Sequence, residues 1–259
     1  MKNLLLVTGL LLAGCSPSAG PAIPDTAAQV KALTQDFATW YRYTYARILL
    51  ARDFQPRGVD GRELPKKVFL QQLATGRVLA LRNGFDHQQP VYQLCAYPGG
   101  HDLAIRTTSQ QLATEALRNY AWEGQRLPNF AWRDLNGVTY TPASTRGKIL
   151  VLKCWYTSCI SCVDEFPAIN ALVERYRQQP QVLFVSLAMN EATSLRTFLR
   201  GRAVKFAVIP ASKAYLTDSL GVLEYPTHFI IGPTGKILKA TNRASDLAVA
   251  LAKEVPRLR

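Results

Sequence analysis

The chain has 259 residues, 48% hydrophobic and 19% charged, a balance that supports a buried core and excludes disordered and fibrous classes. That length accommodates two modest domains, or one domain with a large extension. The formal net charge of +13 is uneven, with 18 Lys/Arg against 9 Asp/Glu from Gln125 onward. No run of Lys/Arg forms a binding stripe, so nucleic acid is not expected as a partner, and a solvated basic surface drawn to anionic lipid headgroups is the reading.

The first residues, MKNLLLVTGLLLAGC, combine a basic start at Lys2, an apolar run from Leu4 to Leu12 and small residues before a cysteine. The run is too short to span a bilayer and has the form of a secretory leader. Leu12-Ala13-Gly14-Cys15 is similar to a lipobox, which implies a signal peptide over 1–14 and lipidation of Cys15. The alternative is an ordinary leader with a coincidental cysteine. Residues 15–24, rich in small residues and proline, read as a tether. The expected location is extracytoplasmic and periplasm-facing, lipid-anchored to a bacterial membrane, where disulfides persist. No second apolar stretch has the length of a transmembrane helix.

Residues 25–122 read as a mainly α-helical region. Val30, Leu33, Phe37, Tyr41, Tyr45 and Ile48 recur at helical spacing and predict one long amphipathic helix over 25–52. Gly58, Asp60 and Gly61 mark a turn, a second helix is expected from Pro65 to Thr75, a strand over 90–98 and another helix over 109–122. This half carries no repeat and no catalytic motif. His87 and His101 stand alone in loops without metal-ligand spacing, and Cys95 reads as a buried thiol. Its apolar helices fit substrate recognition, dimerisation or a packing buttress.

Residues 123–259 follow a different pattern. Asn136-Gly137 between two short strand-like runs signals a tight hairpin. Strands are expected over 148–155, 181–188 and 205–210, alternating with helices over 160–178 and 192–201 and a short helical piece through Leu220. THFIIG and GKILKA form a terminal hairpin, followed by a helix over 244–254. Strands alternating with helices predict an α/β sheet covered on both faces.

The stretch KCWYTSCISCVDEFP, residues 153–167, holds three of the five cysteines. Cys159 and Cys162 follow a buried strand and open a helix, where free N–H groups and the helix dipole favour a thiolate at Cys159. Cys162, one turn on, can reach the Cys159 sulfur, which suits attack on a disulfide by Cys159 and resolution by Cys162. Zinc uses the same spacing, but zinc sites normally have four ligands and no second pair is present. A structural disulfide is the other alternative.

KILVLKCWYTSCISCVDEFP resembles the active-site segment of TlpA/ResA-like thioredoxins, with Trp155, Cys159, Cys162, Glu165 and Pro167 in matching places. EYPTHFIIGPTGKI, with Pro226 and Thr227, and EGQRLPNFAWRDLNGVTYT, with Pro128 and Phe130, resemble two further segments of that family. The resemblance covers about residues 123–259 and implies a thioredoxin-like fold, a central mixed sheet flanked by helices. It implies a membrane-tethered thiol-disulfide oxidoreductase that reduces protein disulfides through a redox-active disulfide Cys159–Cys162, with no metal or other cofactor. Protein disulfides or dithiols are the implied substrates, and a membrane partner the electron donor. It also implies a cis Tyr225–Pro226 bond beside Cys159, substrate binding by Trp155, Tyr225, Pro226 and Thr227, and tuning of cysteine acidity by Glu165. Asp164 reads as surface charge and His228 as a satisfied strand histidine.

Three positions depart from the family pattern. Ser158 replaces a usual tryptophan, which weakens the rim around the site. Cys154 replaces an aromatic and is expected buried and inert. Lys153 stands where an acid or amide is usual, so it is expected either to lie near Glu165 or to extend its ammonium outward. Two other functions remain open. A peroxiredoxin-like thiol peroxidase usually has Pro-x-x-x-Thr-x-x-Cys, which is absent here. A non-enzymatic metallochaperone or interaction lipoprotein would use the cysteines to bind copper or stabilise the fold, and related copper carriers have Cys-x-x-x-Cys.

Overall fold

Residues 26–258, apart from Pro98, Gly100, His101 and Ser212, are described by the computed structural model. The expected leader, tether and lipidated Cys15 lie outside the described residues, as does His101. The single helix expected over 25–52 is two helices, α1 (Thr26–Leu33) and α2 (Phe37–Arg47). Asp36 divides them: its carboxylate accepts from the backbone N–H of Thr39 at 2.8 Å and from the Thr39 hydroxyl, which makes it the N-cap of the second helix.

Next come β1 (Gln55–Arg57), α3 (Lys66–Leu73), β2 (Val78–Asp86), β3 (Gln89–Ala96) and α4 (Leu103–Trp122). The three strands form a sheet in the order β1-β3-β2. The region is mainly helical, as expected, and β1 and β2 are strands that the sequence reading did not include. Period-two alternation sends Ala80, Tyr92 and Leu94 into a core with Phe69 and Leu70 of α3 and Ala113 of α4. Leu79, Leu81 and Cys95 on the other face meet Val30 and Trp40. Each large apolar side chain buried in this way stabilises by about 1.5–3 kcal/mol relative to exposure.

The second half begins with the expected hairpin, β4 (Trp132–Arg133) and β5 (Thr139–Tyr140). Gly137 takes φ 89° at its tip, a left-handed value that glycine adopts without a Cβ clash. Then follow α5 (Pro142–Thr145), β6 (Ile149–Trp155), α6 (Ile160–Asp164), α7 (Phe166–Tyr176), β7 (Val182–Ala188), α8 (Ala192–Leu199) and β8 (Ala207–Pro210). A π-helical turn (Tyr215–Ser219), β9 (Thr227–Ile231), β10 (Ile237–Thr241), α9 (Ala244–Glu254) and a 3-10 turn (Val255–Leu258) complete the chain. The sheet order is β10-β9-β6-β7-β8, with β6, β7 and β8 parallel and β9 antiparallel to both neighbours. Ile149, Val151 and Trp155 face a core that includes Leu172 of α7 and Leu247 of α9. Leu150, Leu152 and Cys154 face the other side with Leu216, Leu220 and Phe229. This mixed sheet between helices is the thioredoxin-like fold expected from the resemblance.

Each margin of that sheet carries a capping segment. Gly124 and Leu127 donate to Ile237 and Gly235, and Ile237 donates back to Gln125, so residues 124–127 lie along the turn into β10 and its first residue. At the opposite margin Leu135 donates to Val208 of β8 at 2.9 Å. The two halves are also joined by ion pairs, Arg52 to Asp246 at 2.6 Å, Lys239 to Asp53 at 3.8 Å, and Lys253 to Asp53. Trp122, at the end of α4, sets its ring edge-on to Phe229. It lies so near Gly221, at φ 58°, that an added Cβ would sit 3.3 Å from the indole. Among the described residues no helix is long and apolar enough to cross a membrane.

Candidate active site

β6 ends at Trp155 and the chain turns through Tyr156, Thr157 and Ser158 to reach Cys159. The turn is tied to the segment just after β7 by two hydrogen bonds, Thr157 N–H to Asn190 Oδ1 and Met189 N–H to the Trp155 carbonyl, both at 2.9 Å. Cys159 is the N-cap of α6, its sulfur accepting from the Cys162 N–H at 3.2 Å. The two cysteines form a disulfide, with Cα atoms 5.2 Å apart. Cys159 is 6% exposed and Cys162 0%, so an incoming thiolate meets Cys159 first. Ile160, between them in sequence, is 78% exposed and gives the site an apolar rim.

The helix expected over 160–178 breaks at Glu165 into α6 and α7. Pro167 is the cause: it has no N–H to donate to the Val163 carbonyl, and its ring crowds that turn. The Glu165 carboxylate lies between three donors. Lys153 Nζ reaches Oε2 at 2.8 Å, His228 Nε2 reaches the same oxygen at 2.9 Å, and the Ala244 N–H at the start of α9 reaches Oε1 at 2.7 Å. Lys153 shares the β6 face of Val151 and Trp155 and pairs in register with His228 of β9. At 2% exposure its ammonium does not extend into solvent, so of the two expected arrangements the structure adopts the pairing with Glu165.

Burial pushes Glu165 toward the neutral acid, but the His228 hydrogen bond and the Lys153 ammonium outweigh it and hold the carboxyl well below its ordinary value. Burial lowers the Lys153 pKa, against the pull of Glu165. His228 is lowered as well, by burial first and then by the Lys153 charge against the raising effect of Glu165. A neutral imidazole donating through Nε2 leaves its Nδ1 lone pair buried without a partner among the described residues. His228 is thus a half-satisfied member of the site, where the sequence reading made it a satisfied strand histidine. The signal available was a single imidazole just before the apolar run Phe229–Ile231 of β9.

The Tyr225–Pro226 peptide bond is cis. Thr227, the next residue, opens β9 opposite Cys154, which places this loop at the end of the sheet from which Cys159 emerges. The Tyr225 ring packs edge-on to Tyr156 with centroids 5.2 Å apart. Tyr225 is half-buried, whereas Pro226 and Thr227 are buried. The Thr227 hydroxyl is used within the loop, donating to the Glu224 carbonyl at 2.6 Å. Trp155 is corrected as a substrate-contacting residue: its ring is buried against Phe166, and its N–H donates to Ser186 Oγ at 3.1 Å. It backs the disulfide from inside the core. Cys154 is buried and its thiol pushed up to about 12 by that burial, and Cys95 is likewise a buried thiol raised by burial. Among the described residues no group of three or more His, Cys, Asp or Glu is placed to hold a metal ion.

Residues 124–240 match the AhpC/TSA family. Thiol-disulfide oxidoreductase ResA of Bacillus subtilis (strain 168) is 30% identical over 118 residues, covering 45% of this chain and 65% of the relative. The chain therefore spans just under two thirds of that relative's length. ResA of Bacillus cereus (strain ZK / E33L) is also 30% identical over 118 residues, covering 45% of this chain and 67% of the relative. Among solved structures, a thiol:disulfide interchange protein DsbE from Chlorobium tepidum is 23% identical with a TM-score of 0.47, covering 53% of this chain and 98% of that one.

Proposed function

Because this chain belongs to the TlpA/ResA-like thioredoxin family, we propose that it is an extracytoplasmic thiol-disulfide oxidoreductase that reduces protein disulfides. The observation that carries this reading is the asymmetry of the pair: Cys159 retains the exposure, Cys162 lies behind it, and the cis Tyr225–Pro226 loop lies at the same end of the sheet. In the dithiol form the Cys159 thiolate attacks a substrate disulfide, forming a mixed disulfide and expelling one substrate sulfur as thiolate, which takes up a proton. Cys162 then loses its proton and attacks the Cys159 sulfur. The Cys159–Cys162 bond closes, the second substrate thiolate leaves, and the substrate has gained two electrons. A dithiol donor must return two electrons to the pair, and a membrane partner fits that need.

Glu165 enters this chemistry as a fixed carboxylate. Lys153 balances its charge and the Ala244 N–H occupies its second oxygen, so it orders the interior beneath the pair and is poorly placed to give up a proton near neutral pH. Tyr225 and Pro226 are the proposed seat of the substrate segment. Insulin reduction tests the proposal: wild type is expected to precipitate insulin chains in the presence of dithiothreitol faster than reductant alone, and Cys159→Ala to match the uncatalysed rate. The AhpC/TSA match keeps a thiol peroxidase as the second reading, and peroxide consumption far faster than insulin reduction would select it.

The lipid anchor is part of the same proposal, supported by Leu12-Ala13-Gly14-Cys15 and the proline-containing stretch after it. Wild type is expected in the membrane fraction and Cys15→Ser in the soluble extracytoplasmic fraction. Equal partition of the two would remove the anchor from the reading.

A further inference from the structure

The loop that carries the cis proline is gripped by side chains remote in sequence. Asn242, just after β10, donates from Nδ2 to the Pro226 carbonyl at 2.8 Å and to Thr227 Oγ1 at 3.0 Å. A carbonyl oxygen only accepts, so the orientation of this amide is dictated, with nitrogen toward Pro226 and Oδ1 turned away. Asn119 of α4 donates its own Nδ2 to that Oδ1 in a short hydrogen bond. One residue earlier, Arg118 Nη1 meets Glu224 Oε1 at 3.0 Å. α4 therefore holds the loop at Glu224 directly and at Pro226 through one intervening amide. Asn119 is 9% exposed, and a buried amide left without its partner is costly.

We propose that Asn119 and Asn242 are positioning residues for the Glu224–Thr227 loop, through which residues 26–122 set how an extended, disulfide-bearing protein segment seats beside Cys159. This rests on the reading of the site as a reductase of protein disulfides. The brace acts on docking, because it ends on the Pro226 carbonyl and reaches neither sulfur. Asn119→Asp is the diagnostic substitution, since it keeps the size of the side chain and turns a donor into an acceptor. The carboxylate would face Asn242 Oδ1, and Asn242 could satisfy it only by rotating its amide and releasing Pro226.

The test compares insulin with a small aromatic disulfide, 5,5′-dithiobis(2-nitrobenzoate), in wild type, Asn119→Ala, Asn119→Asp, Asn242→Ala and the double alanine variant. The KM for insulin is expected to rise about fivefold in Asn119→Ala and about tenfold in Asn119→Asp, the latter a loss of about 1.4 kcal/mol. The kcat should stay within about twofold, and the preference for insulin over the small disulfide should fall by the same factor as KM rises. The double alanine variant should be no worse than Asn242→Ala, because both act through one amide. An unchanged preference, or a parallel loss on both substrates, would overturn the brace while leaving the reductase standing. A wild type that reduces neither substrate would overturn both.

Discussion

Cys162→Ser is expected to stop the protein halfway through its reaction, with a substrate chain covalently attached to Cys159. The outer sulfur still attacks a disulfide, but the buried position behind it, 0% exposed in the native chain, holds a hydroxyl that cannot displace a thiolate. Turnover should fall to the uncatalysed background, because without the resolving sulfur the mixed disulfide is not released. One substrate equivalent should add to the mass of the protein and leave on treatment with dithiothreitol. Cys159→Ser should lose turnover to the same extent and trap nothing. If Cys159→Ser forms the stable adduct and Cys162→Ser does not, the order of attack is the reverse of the one the exposures indicate.

The second large effect concerns the charge buried beneath the pair. Glu165→Gln leaves the Lys153 ammonium, 2% exposed, without its anion. Breaking a buried pair in this way costs about 3–5 kcal/mol, which for a chain of this size lowers the melting temperature by about 10 °C. The sign of its pH dependence follows from Lys153, whose pKa is already lowered by burial and falls further without Glu165. A lysine lowered in the folded state is uncharged there at pH values where the unfolded chain still binds the proton. Stability therefore rises with pH until the unfolded value is passed, and the deficit of Glu165→Gln at pH 7 should shrink toward pH 9.5. Lys153→Met together with Glu165→Gln removes both charges and should recover most of the loss. A double variant as unstable as the sum of the singles would show that the two groups do not act as a pair. Lys153→Met alone leaves the Glu165 carboxylate unbalanced, so the thiols of the reduced pair should titrate higher, read from the pH dependence of their alkylation by iodoacetamide. An unchanged profile would disconnect Lys153 from the pair.

Features with local causes were legible in the sequence. The Asn136-Gly137 hairpin, the β6 strand leading into Cys-x-x-Cys and the terminal hairpin all follow from neighbouring residues. The cis geometry at Pro226 was reached through family resemblance, because side-chain pattern alone does not distinguish cis from trans. The β2–β3 hairpin was missed because its turn residues, His87 at φ 44° and Gln88 at φ 66°, adopt left-handed values without glycine or asparagine. Asn83 and Gly84 inside β2 are also residue types depleted in strands, which weakens the strand signal. In the site, pairing with Glu165 was one of the two arrangements expected of Lys153, since a buried ammonium needs an anion. His228 and Asn242 were not assigned to the site, because one depends on the antiparallel register of β6 and β9 and the other on a helix more than a hundred residues away.

The capped margins of the five-stranded sheet bear on how long partners remain attached. A bare margin offers a row of backbone donors and acceptors to any extended chain, and such pairings outlast the encounter that begins them. With residues 124–127 against the start of β10 and Leu135 on Val208 of β8, part of each margin is already paired and a captured chain finds less backbone to anneal to there. On the proposed mechanism its residence is then set by the lifetime of a sulfur–sulfur bond, which Cys162 ends, more than by the slow separation of a shared sheet.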